Sequence, residues 1–468
     1  MSLLPARLDE ARRLLHGNYG YRDFRPLQRR VVQSVLAGRD TLAVLPTGGG
    51  KSICFQVPAL VLGGLTIVIS PLVALMQDQV NALKNRGIAA DCVNSLMPAE
   101  AQQAVRARVA DQSLRLLYLS PERADRTIRE LAGMGIRPRL LAVDEAHCIS
   151  EWGHDFRPSY RLLARFREAL GGPPTVALTG SATPAVREDI IASLALRNPD
   201  LHLGSFDRPN LNFSVTRLHA RRERTALLFA RLDRKPGLTI VYVSTRNAAD
   251  ALAQRLRFAG LRAMAYHAGL PRDRRTEVLE QFLAEDLDVV TATSAFGMGI
   301  DAPRVRLVVH WGMPPTPEAY YQEAGRAGRD GQPAECLLLN HRADARIHYR
   351  QLDVTFPPRK VLEEIWAHPG DRRRHPAAIL ASADRLAREL GAGRGAVDWS
   401  RIERRKEAAA TRLRVMERYA GTGECRRRVL LRYFGEEPGP CAGCDACADP
   451  RPFRRLRVAF DRLGAARG

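Results

Sequence analysis

The sequence lacks any apolar run near the roughly 20 residues that a membrane-spanning helix needs. Its N-terminus has charged residues early and no apolar core leading to a cleavage site, so no secretory signal is indicated. Internal repeats and low-complexity tracts are also absent. These absences argue against membrane, secreted and repeat proteins, and we expect a cytoplasmic protein with no membrane partner.

Acidic residues are few relative to basic ones. The chain has 51 Asp and Glu against 72 Lys and Arg, which gives a formal net charge of +21. Basic side chains gain affinity for nucleic acid by releasing counterions from its phosphates, so this excess favours a polyanionic partner. The alternative is a generally basic composition that spreads charge over the surface without forming a site.

Cysteine is sparse along most of the chain. Four of the eight cysteines are scattered among apolar residues, where a reduced thiol acts as a small hydrophobic group: Cys54, Cys92, Cys148 and Cys336. The other four are grouped near the C-terminus: Cys425, Cys441, Cys444 and Cys447. In a reducing compartment such a group indicates a metal site rather than two disulfides.

The pattern of apolar runs predicts an α/β protein. With 468 residues, the chain exceeds one ordinary core, so we expect two large domains and something smaller. Short β-branched runs typical of buried parallel strands occur at 40–45, 65–70, 116–120, 140–144 and 175–179. A second series follows a hinge segment at 206–210, at 238–242, 263–266, 287–292, 305–310 and 335–339. Beyond about residue 346 the sequence becomes helical and basic.

A glycine-rich segment predicts a phosphate-binding loop. Gly48, Gly49, Gly50, Lys51 and Ser52 follow a predicted strand and open a predicted helix, where backbone N–H groups and the helix dipole favour phosphate. Lys51 suits the β- and γ-phosphates, and Ser52 suits Mg²⁺. The usual pattern has glycine where this chain has Leu45, so a glycine-rich turn with a chance lysine is the alternative.

Two acids at the end of a predicted strand strengthen the prediction of ATP binding. Open parallel sheets bind ligands at the carboxyl ends of their strands, where Asp144, Glu145 and His147 lie. We expect Asp144 to hold Mg²⁺ and Glu145 to activate the attacking water. A solvated loop or a salt-bridged corner is the alternative for such a motif in isolation.

Two arginines are candidates for the positive charge that phosphoryl transfer needs opposite the phosphate loop. Arg326 and Arg329 are three residues apart and would share one face of a helix. We interpret them as arginine fingers supplied by the second lobe. An exposed basic helix face is the alternative.

Six ordered segments resemble the motifs of RecQ helicases within helicase superfamily two. They are 21–28 (YRDFRPLQ), 46–52 (PTGGGKS), 70–79 (SPLVALMQDQ), 144–147 (DEAH), 296–301 (FGMGID) and 321–329 (YQEAGRAGR). The resemblance extends from about residue 15 to 447. It implies two RecA-like parallel-sheet lobes followed by a mainly helical zinc-binding module.

The resemblance also implies roles for individual residues. Tyr21 would stack on adenine, Gln28 would read the adenine edge, and Arg25 would support that pocket. The nucleotide-binding candidates become Tyr21, Arg25, Gln28, Thr47, Gly48, Gly49, Gly50, Lys51, Ser52 and Asp301. The catalytic candidates become Lys51, Asp144, Glu145, His147, Gln322, Arg326 and Arg329.

A loop after the DEAH segment is a candidate DNA contact. In this family such a loop, here containing Trp152, His154, Phe156 and Arg157, would touch single-stranded DNA and signal its presence to the hydrolysis site. Aromatic rings stack on any base and so follow a strand without reading its sequence. A tryptophan and a phenylalanine four residues apart could instead belong to the core, but the interleaved polar residues favour exposure.

The four grouped cysteines supply enough thiolates for a closed, structural Zn²⁺ site. Segments 425–436 and 441–447 resemble the RecQ zinc module, with an iron–sulfur cluster as the alternative. We expect lobes at 1–206 and 207–345, a helical basic region at 346–424, the zinc module at 425–447 and a basic tail at 448–468. Within the helical region, 356–391 reads as a spacer or a small helix-turn-helix. Because 21 residues follow Cys447, we expect neither the winged helix nor the further helical DNA-binding domain that RecQ proteins often carry.

These features predict an ATP-dependent helicase that moves along single-stranded DNA. The resemblance implies 3′ to 5′ movement, a role in repair or recombination, and association with the nucleoid. The expected cofactors are ATP, Mg²⁺ and Zn²⁺, and the expected partners are single-stranded and tailed or forked duplex DNA, bound by a monomer. Gly180 and Ser181 stand where many relatives have alanine and threonine, which puts the coupling of hydrolysis to movement in question. An RNA motor and a catalytically silent scaffold are the rival interpretations.

Overall fold

The structure is a computed structural model. It describes residues 4–46, 48–94, 97–153, 155–297, 302–368, 372–390 and 397–448. Three candidate site residues, Thr47, His154 and Asp301, lie outside these ranges, as does the basic tail from residue 449 onward. Within the described ranges, no helix combines the length and apolarity that crossing a membrane requires.

The chain divides into two compact units, Met1–Phe206 and Asp207–Gly468. Unit 1 contains a seven-stranded parallel sheet in the order β3-β4-β2-β5-β6-β1-β7. Its strands are β1 Thr41–Val44, β2 Thr66–Ile69, β3 Ala90–Val93, β4 Leu116–Leu119, β5 Leu140–Val143, β6 Thr175–Thr179 and β7 Asp200–Leu203. Its helices are α1 Leu4–Tyr19, α2 Pro26–Leu36, α3 Ile53–Leu62, α4 Val73–Lys84, α5 Ala99–Ala110, α6 Pro121–Gly133, α7 Leu163–Ala169 and α8 Pro184–Ser193.

Unit 2 contains a six-stranded parallel sheet in the order β10-β11-β9-β12-β13-β8. Its strands are β8 Leu211–Leu218, β9 Leu238–Tyr242, β10 Ala263–Tyr266, β11 Val289–Ala292, β12 Val305–His310 and β13 Ala334–His341. The helices that alternate with these strands are α9 Glu223–Leu232, α10 Arg246–Phe258, α11 Arg272–Leu283 and α12 Pro317–Ala324. The helices that follow β13 are α13 Asp344–Thr355, α14 Arg359–Ala367, α15 Ala377–Leu390, α16 Trp399–Gly421 and α17 Arg426–Tyr433.

The predicted fold class is confirmed: two parallel-sheet units with intervening helices, followed by a helical C-terminal region. Central strands such as β1 and β5 are buried along their whole length, which explains their continuous apolar sequence. The helices bury one face, as α2 shows: Pro26 occupies its first turn, and Val31, Val32 and Val35 lie in the core.

Three strands were not predicted from the sequence: β3, β7 and β8. Each is an edge strand of its sheet. Edge strands are covered less completely, so their sequences mix polar and apolar residues instead of forming an apolar run. In β7, for example, Leu201 and Leu203 are exposed and His202 between them is buried.

Helices α14 and α15 form the expected pair between β13 and the cysteine cluster. They share a small core with α16, built around Leu362, Ile365 and Leu386. The indole of Trp366 donates to the carbonyl of Ala383 at 3.1 Å, and its ring stacks on Trp399. This region therefore has a hydrophobic centre of its own within unit 2.

A buried ion pair joins distant parts of unit 1. Both carboxylate oxygens of Asp40 accept from the Arg167 guanidinium, at 2.8 and 2.6 Å. Asp40 also accepts from the backbone N–H groups of Thr175 and Arg197, at 3.0 and 2.6 Å. The carboxylate thus links the start of β1 to β6 and to the segment before β7.

We expect Asp40→Ala to lower the free energy of unfolding of unit 1 by about 3–5 kcal/mol, because the Arg167 charge would stay buried without its partner. Urea unfolding, with hydrogen exchange on β1 and β6 to localise the effect, measures this loss. Arg129→Ala is the control, since its ion pair with Asp125 is exposed and contributes at most about 1 kcal/mol. Equal losses in the two variants would contradict the role given to Asp40.

Candidate active site and metal centre

The predicted phosphate loop connects β1 to α3. Gly48 and Gly50 have φ angles of +82° and +70°, which residues with a side chain rarely adopt. A Cβ on Gly49 would lie 2.8 Å from the carbonyl oxygen of Pro46. All three glycines are therefore required by the loop conformation, and the loop leads into the N-terminus of α3, where an anion is favoured.

Two candidate nucleotide-binding residues hold this loop in place. Arg25 donates to the carbonyl of Gly48 at 2.6 Å. The Gln28 amide nitrogen donates to the carbonyls of Gly49 and Gly50, at 3.0 and 3.3 Å, and its oxygen accepts from the Arg25 backbone. Tyr21, by contrast, is 58% exposed. Arg25 and Gln28 thus position the loop's backbone in addition to any contact with a base.

The phosphate loop and the DEAH segment meet through one ion pair. The ammonium of Lys51 lies 2.7 Å from Oε1 of Glu145, and both side chains are largely buried. Burial raises the pKa of Glu145, but Lys51 and His147 outweigh it, so that pKa lies well below its ordinary value. Glu145 is therefore ionised at neutral pH while Lys51 contacts it.

Asp144 and Glu145 occupy the carboxyl end of β5 in a constrained backbone. Glu145 has φ +46° and ψ +47°, a left-handed conformation that is costly for a residue with a side chain. Burial, together with the charge of Glu145, raises the pKa of Asp144 to about 6. The hydroxyl of Tyr160 donates to the Asp144 carbonyl at 3.1 Å. A buried carboxylate of this kind is suited to a cation.

His147 connects the DEAH segment to the end of β6. Its Nδ1 lies 3.0 Å from the Thr179 hydroxyl and 3.3 Å from Oε2 of Glu145. A Cβ on Gly180, the residue after Thr179, would lie 3.1 Å from the Lys51 ammonium. Gly180 thus adjoins the ammonium that pairs with Glu145.

The aromatic-rich loop is anchored beside the DEAH segment. A Cβ on Gly153 would lie 2.8 Å from the carbonyl oxygen of His147. Arg157 donates to the carbonyl of Pro71 at 2.7 Å, and Phe156 is half-buried. Trp152 is 42% exposed, so its ring is accessible to a ligand.

The two candidate arginine fingers do not lie on a helix, contrary to the sequence prediction. Helix α12 ends at Ala324, and Arg326 and Arg329 lie in the turns that follow. A helical spacing was the wrong inference because glycines at 325 and 328 interrupt the segment, the second with φ +54°. Gln322 lies in the last turn of α12 and is half-buried.

Arg326 is buried in unit 2, beside the start of the 296–301 segment. Its guanidinium lies 3.2 Å from the position that a Cβ on Gly297 would occupy. It also lies close to Tyr242: burial raises the pKa of that tyrosine, and Arg326 opposes the shift. Arg329 is half-buried in the same turn.

The four grouped cysteines form one cluster, with all four Sγ atoms within 4.8 Å of one another. The Sγ atoms of Cys441 and Cys444 are 3.6 Å apart, and those of Cys444 and Cys425 are 3.9 Å apart. Tetrahedral Zn–S bonds of about 2.3 Å place sulfurs about 3.8 Å apart, so the donor set fits Zn²⁺. Burial and neighbouring thiols raise the pKa of Cys441 and Cys447, so a cation is needed to hold all four as thiolates.

The sequence analysis missed several residues that support these sites. Thr179 and Tyr160 bond to the DEAH segment. Arg208 bonds to the turn that contains Arg326 and Arg329, and Arg427 bonds to the hinge segment. The signal available in the sequence was position: Arg208 lies in the hinge segment and Arg427 lies two residues after Cys425, but neither position reveals a partner.

Family models match most of the chain. The DEAD/DEAH box helicase model matches residues 25–190, and the helicase conserved C-terminal domain model matches 212–331. The RecQ zinc-binding model matches 383–448, which includes all four cysteines of the cluster. The segment between 331 and 383, with α13 and α14, lies between these matches.

Similar proteins agree with these matches. The chain is 38% identical over 439 residues to an ATP-dependent DNA helicase RecQ of Pasteurella multocida, covering 93% of this chain and 62% of that protein. It is 39% identical over 452 residues to the RecQ protein of Bacillus subtilis, covering 95% of this chain and 68% of that one. The Mycobacterium smegmatis helicase Lhr, solved with single-stranded DNA and AMP-PNP, shares the fold with a TM-score of 0.54 at 19% identity, covering 90% of this chain and 57% of that chain.

Proposed function

Because the chain belongs to the RecQ family of DNA helicases, we propose that it couples ATP hydrolysis to movement along single-stranded DNA and to separation of the duplex ahead of it. The observation that supports this most is the contact of Lys51 with Glu145, which brings a phosphate-binding lysine and a candidate base into one site. We extend the proposal to 3′ to 5′ movement by a monomer on tailed or forked DNA, in repair or recombination and near the nucleoid.

In the proposed hydrolysis step, the glycine loop and Lys51 bind the phosphates of ATP. Lys51 then exchanges its contact with Glu145 for the γ-phosphate, which leaves the Glu145 carboxylate to take a proton from the attacking water. His147, held by Thr179, orients that carboxylate. Tyr21, Arg25 and Gln28 are the proposed adenine-side residues.

Mg²⁺ would be held by Asp144 and Ser52. Asp144 is buried with a raised pKa, so a nearby dication would stabilise its ionised form. Ser52 precedes the first turn of α3 and offers a hydroxyl oxygen, which is a hard ligand. The ion would supply charge neutralisation on the phosphates.

Arg326 and Arg329 are the proposed arginine fingers, which stabilise the charge that develops on the transferred phosphoryl group. Gln322, one helical turn earlier, is the proposed partner of the attacking water. The glycine-bounded turn supports this assignment, since it fixes two arginines in a short, constrained segment.

The loop of Trp152, Phe156 and Arg157 is the proposed sensor of single-stranded DNA, together with His154. Trp152 is exposed enough to stack on a base. The loop's backbone contacts the DEAH segment through Gly153 and His147, so movement of the loop would reach the hydrolysis residues.

We expect Trp152→Ala to weaken binding of single-stranded DNA by about 1–3 kcal/mol, the contribution of one stacked base, and to reduce stimulation of ATPase by DNA far more than basal hydrolysis. Fluorescence anisotropy and steady-state ATPase measurements check the two effects. Phe258→Ala is the control, since that ring is 83% exposed on unit 2. If single-stranded DNA stimulates the ATPase activity of the Trp152 variant as strongly as that of the unchanged protein, the loop does not sense DNA through this ring.

The proposed function is tested by measuring ATPase without nucleic acid and with single-stranded DNA, duplex DNA and RNA, followed by displacement of strands from 3′- and 5′-tailed duplexes. We expect the largest stimulation by single-stranded DNA and displacement from the 3′ tail. Stimulation mainly by RNA would favour an RNA motor. The absence of hydrolysis under every condition would favour a scaffold.

A further inference from the structure

The turn that contains Arg326 and Arg329 is held from outside by one arginine of the hinge segment. We name residues 325–331 the arginine turn. The Arg208 guanidinium donates to three of its carbonyls, those of Gly325, Ala327 and Gly328, at 3.3, 3.2 and 2.9 Å. Three bonds from one planar group to three successive parts of a turn fix its position as a unit.

Asn210 adds a second constraint on the same turn. Its side-chain amide donates to the carbonyls of Gly328 and Gln332, both at 2.8 Å. A Cβ on Gly328 would lie 2.5 Å from that amide nitrogen, and the glycine has φ +54°. The hinge segment and the arginine turn are therefore in direct contact at Gly328, where a side chain would collide with Asn210.

The hinge segment is itself held by the helix that follows the first cysteine of the cluster. Arg427, in α17, forms an ion pair with Asp207. Its guanidinium also donates to the carbonyls of Arg208 and Leu211, at 2.9 and 2.7 Å. Arg427 is only 2% exposed, so these bonds are formed away from water, where they are strong.

Helix α12, which leads into the arginine turn, is also supported by the C-terminal helices. The hydroxyl of Tyr433 in α17 donates to Oε1 of Glu318 at 2.6 Å. The hydroxyls of Tyr419 in α16 and Tyr320 in α12 are 3.0 Å apart. The C-terminal helices thus contact both α12 and, through the hinge segment, the turn that follows it.

We propose that Arg427 is a positioning residue for ATP hydrolysis: it fixes residues 207–210, and Arg208 in turn fixes the arginine turn. The zinc module, residues 425–447, then acts on the hydrolysis step as well as on the fold. This role rests on the arginine-finger assignment proposed above. Displacement of a catalytic group by about 1 Å can cost about 100-fold in rate, so a small shift of the hinge segment has a measurable effect.

The test compares three arginines of α17. Arg427→Lys keeps the charge beside Asp207 but loses the forked contacts with the two carbonyls. Arg426→Lys is the buried control, because the hydrogen bonds of Arg426 go to Asp445 and to the Tyr419 carbonyl, both within the C-terminal region. Arg428→Ala is the exposed control.

For Arg427→Lys we expect kcat of DNA-saturated ATP hydrolysis to fall about tenfold, with KM for ATP changed less than about twofold. Affinity for ADP with aluminium fluoride, a transition-state mimic that engages arginine fingers, should fall by a similar factor, while affinity for ADP alone is unchanged. Zinc content should remain about one per chain. Both controls should keep the kcat of the unchanged protein.

A double-mutant cycle separates positioning from general damage. In a background with both Arg326→Ala and Arg329→Ala, Arg427→Lys should lower kcat no further, because both groups that it positions are gone. Multiplied effects, or a zinc-loaded Arg427→Lys protein with unchanged kcat, would overturn the positioning role. If Arg427→Lys fails to retain zinc, Arg208→Lys, outside the zinc module, replaces it with the same expected results. Unchanged kcat in Arg326→Ala alone would instead overturn the arginine-finger assignment.

Discussion

Glu145→Gln is expected to lower kcat of DNA-stimulated ATP hydrolysis by about 10²- to 10⁴-fold, the usual contribution of a general base. Glutamine keeps an oxygen that can accept from Lys51, which lies 2.7 Å from Oε1 of Glu145, so the shape of the site is retained. It cannot take a proton from water. Because the phosphate loop is unaltered, we expect ATP affinity to change less than about threefold.

Steady-state kinetics with DNA, together with binding of a fluorescent ATP analogue, separates these two effects. Lys51→Ala should weaken both binding and turnover, since the ammonium contacts phosphate in the ground state and in the transition state. Glu188→Gln removes one exposed carboxylate from α8 of the same unit and serves as the charge control. Turnover of Glu145→Gln near that of the control would require another residue to be the base.

Cys444→Ser is expected to remove zinc and to unfold the zinc module. Cys444 is buried, and its Sγ lies 3.6 Å from that of Cys441 and 3.9 Å from that of Cys425. Structural zinc contributes about 10–16 kcal/mol of apparent binding free energy, which becomes folding free energy in a segment too small for its own core. We therefore expect about one Zn²⁺ per chain in the unchanged protein and none in the variant.

Loss of the zinc module should also remove contacts outside the cysteine cluster. Asp445 accepts from the backbone of Val215 in β8, and Arg427 contacts the hinge segment, so these contacts with the rest of unit 2 would be lost with the module. DNA affinity and DNA-stimulated turnover should fall together. Nucleotide affinity should be retained, because the phosphate loop lies in unit 1.

Elemental analysis, hydrogen exchange over α17 and nucleotide binding measure these outcomes. Cys336→Ala is the matched control, since that buried cysteine of unit 2 lies outside the cluster. It should keep its zinc. A Cys444→Ser protein with unchanged protection of α17 and unchanged DNA affinity would contradict a structural role for the metal, and a brown protein rich in iron would indicate an iron–sulfur cluster.

The sequence by itself determined the features whose functional groups lie close together along the chain. The glycine loop before Lys51 and the DEAH segment each place their functional groups within a few positions of one another, and all four grouped cysteines fall between residues 425 and 447. The central strands could also be predicted from the sequence, because burial on both faces requires a continuous apolar run, as in β1 and β5. Three of the four edge strands, β3, β7 and β8, were not predicted, because their sequences mix polar and apolar residues, whereas the fourth, β10, was predicted.

Only the tertiary structure decided which distant residues meet. Lys51 and Glu145 are 94 positions apart, and Arg427 and Asp207 are 220 apart, so their pairing depends on strand order and on the path of the chain. The turns after α12 are permitted by the glycines at 325 and 328, but the hinge segment that bonds to their carbonyls is known only from the structure. The sequence shows that an arginine is charged but not which residue it contacts. Its long side chain can reach many neighbours, and the fold decides which of them lie close.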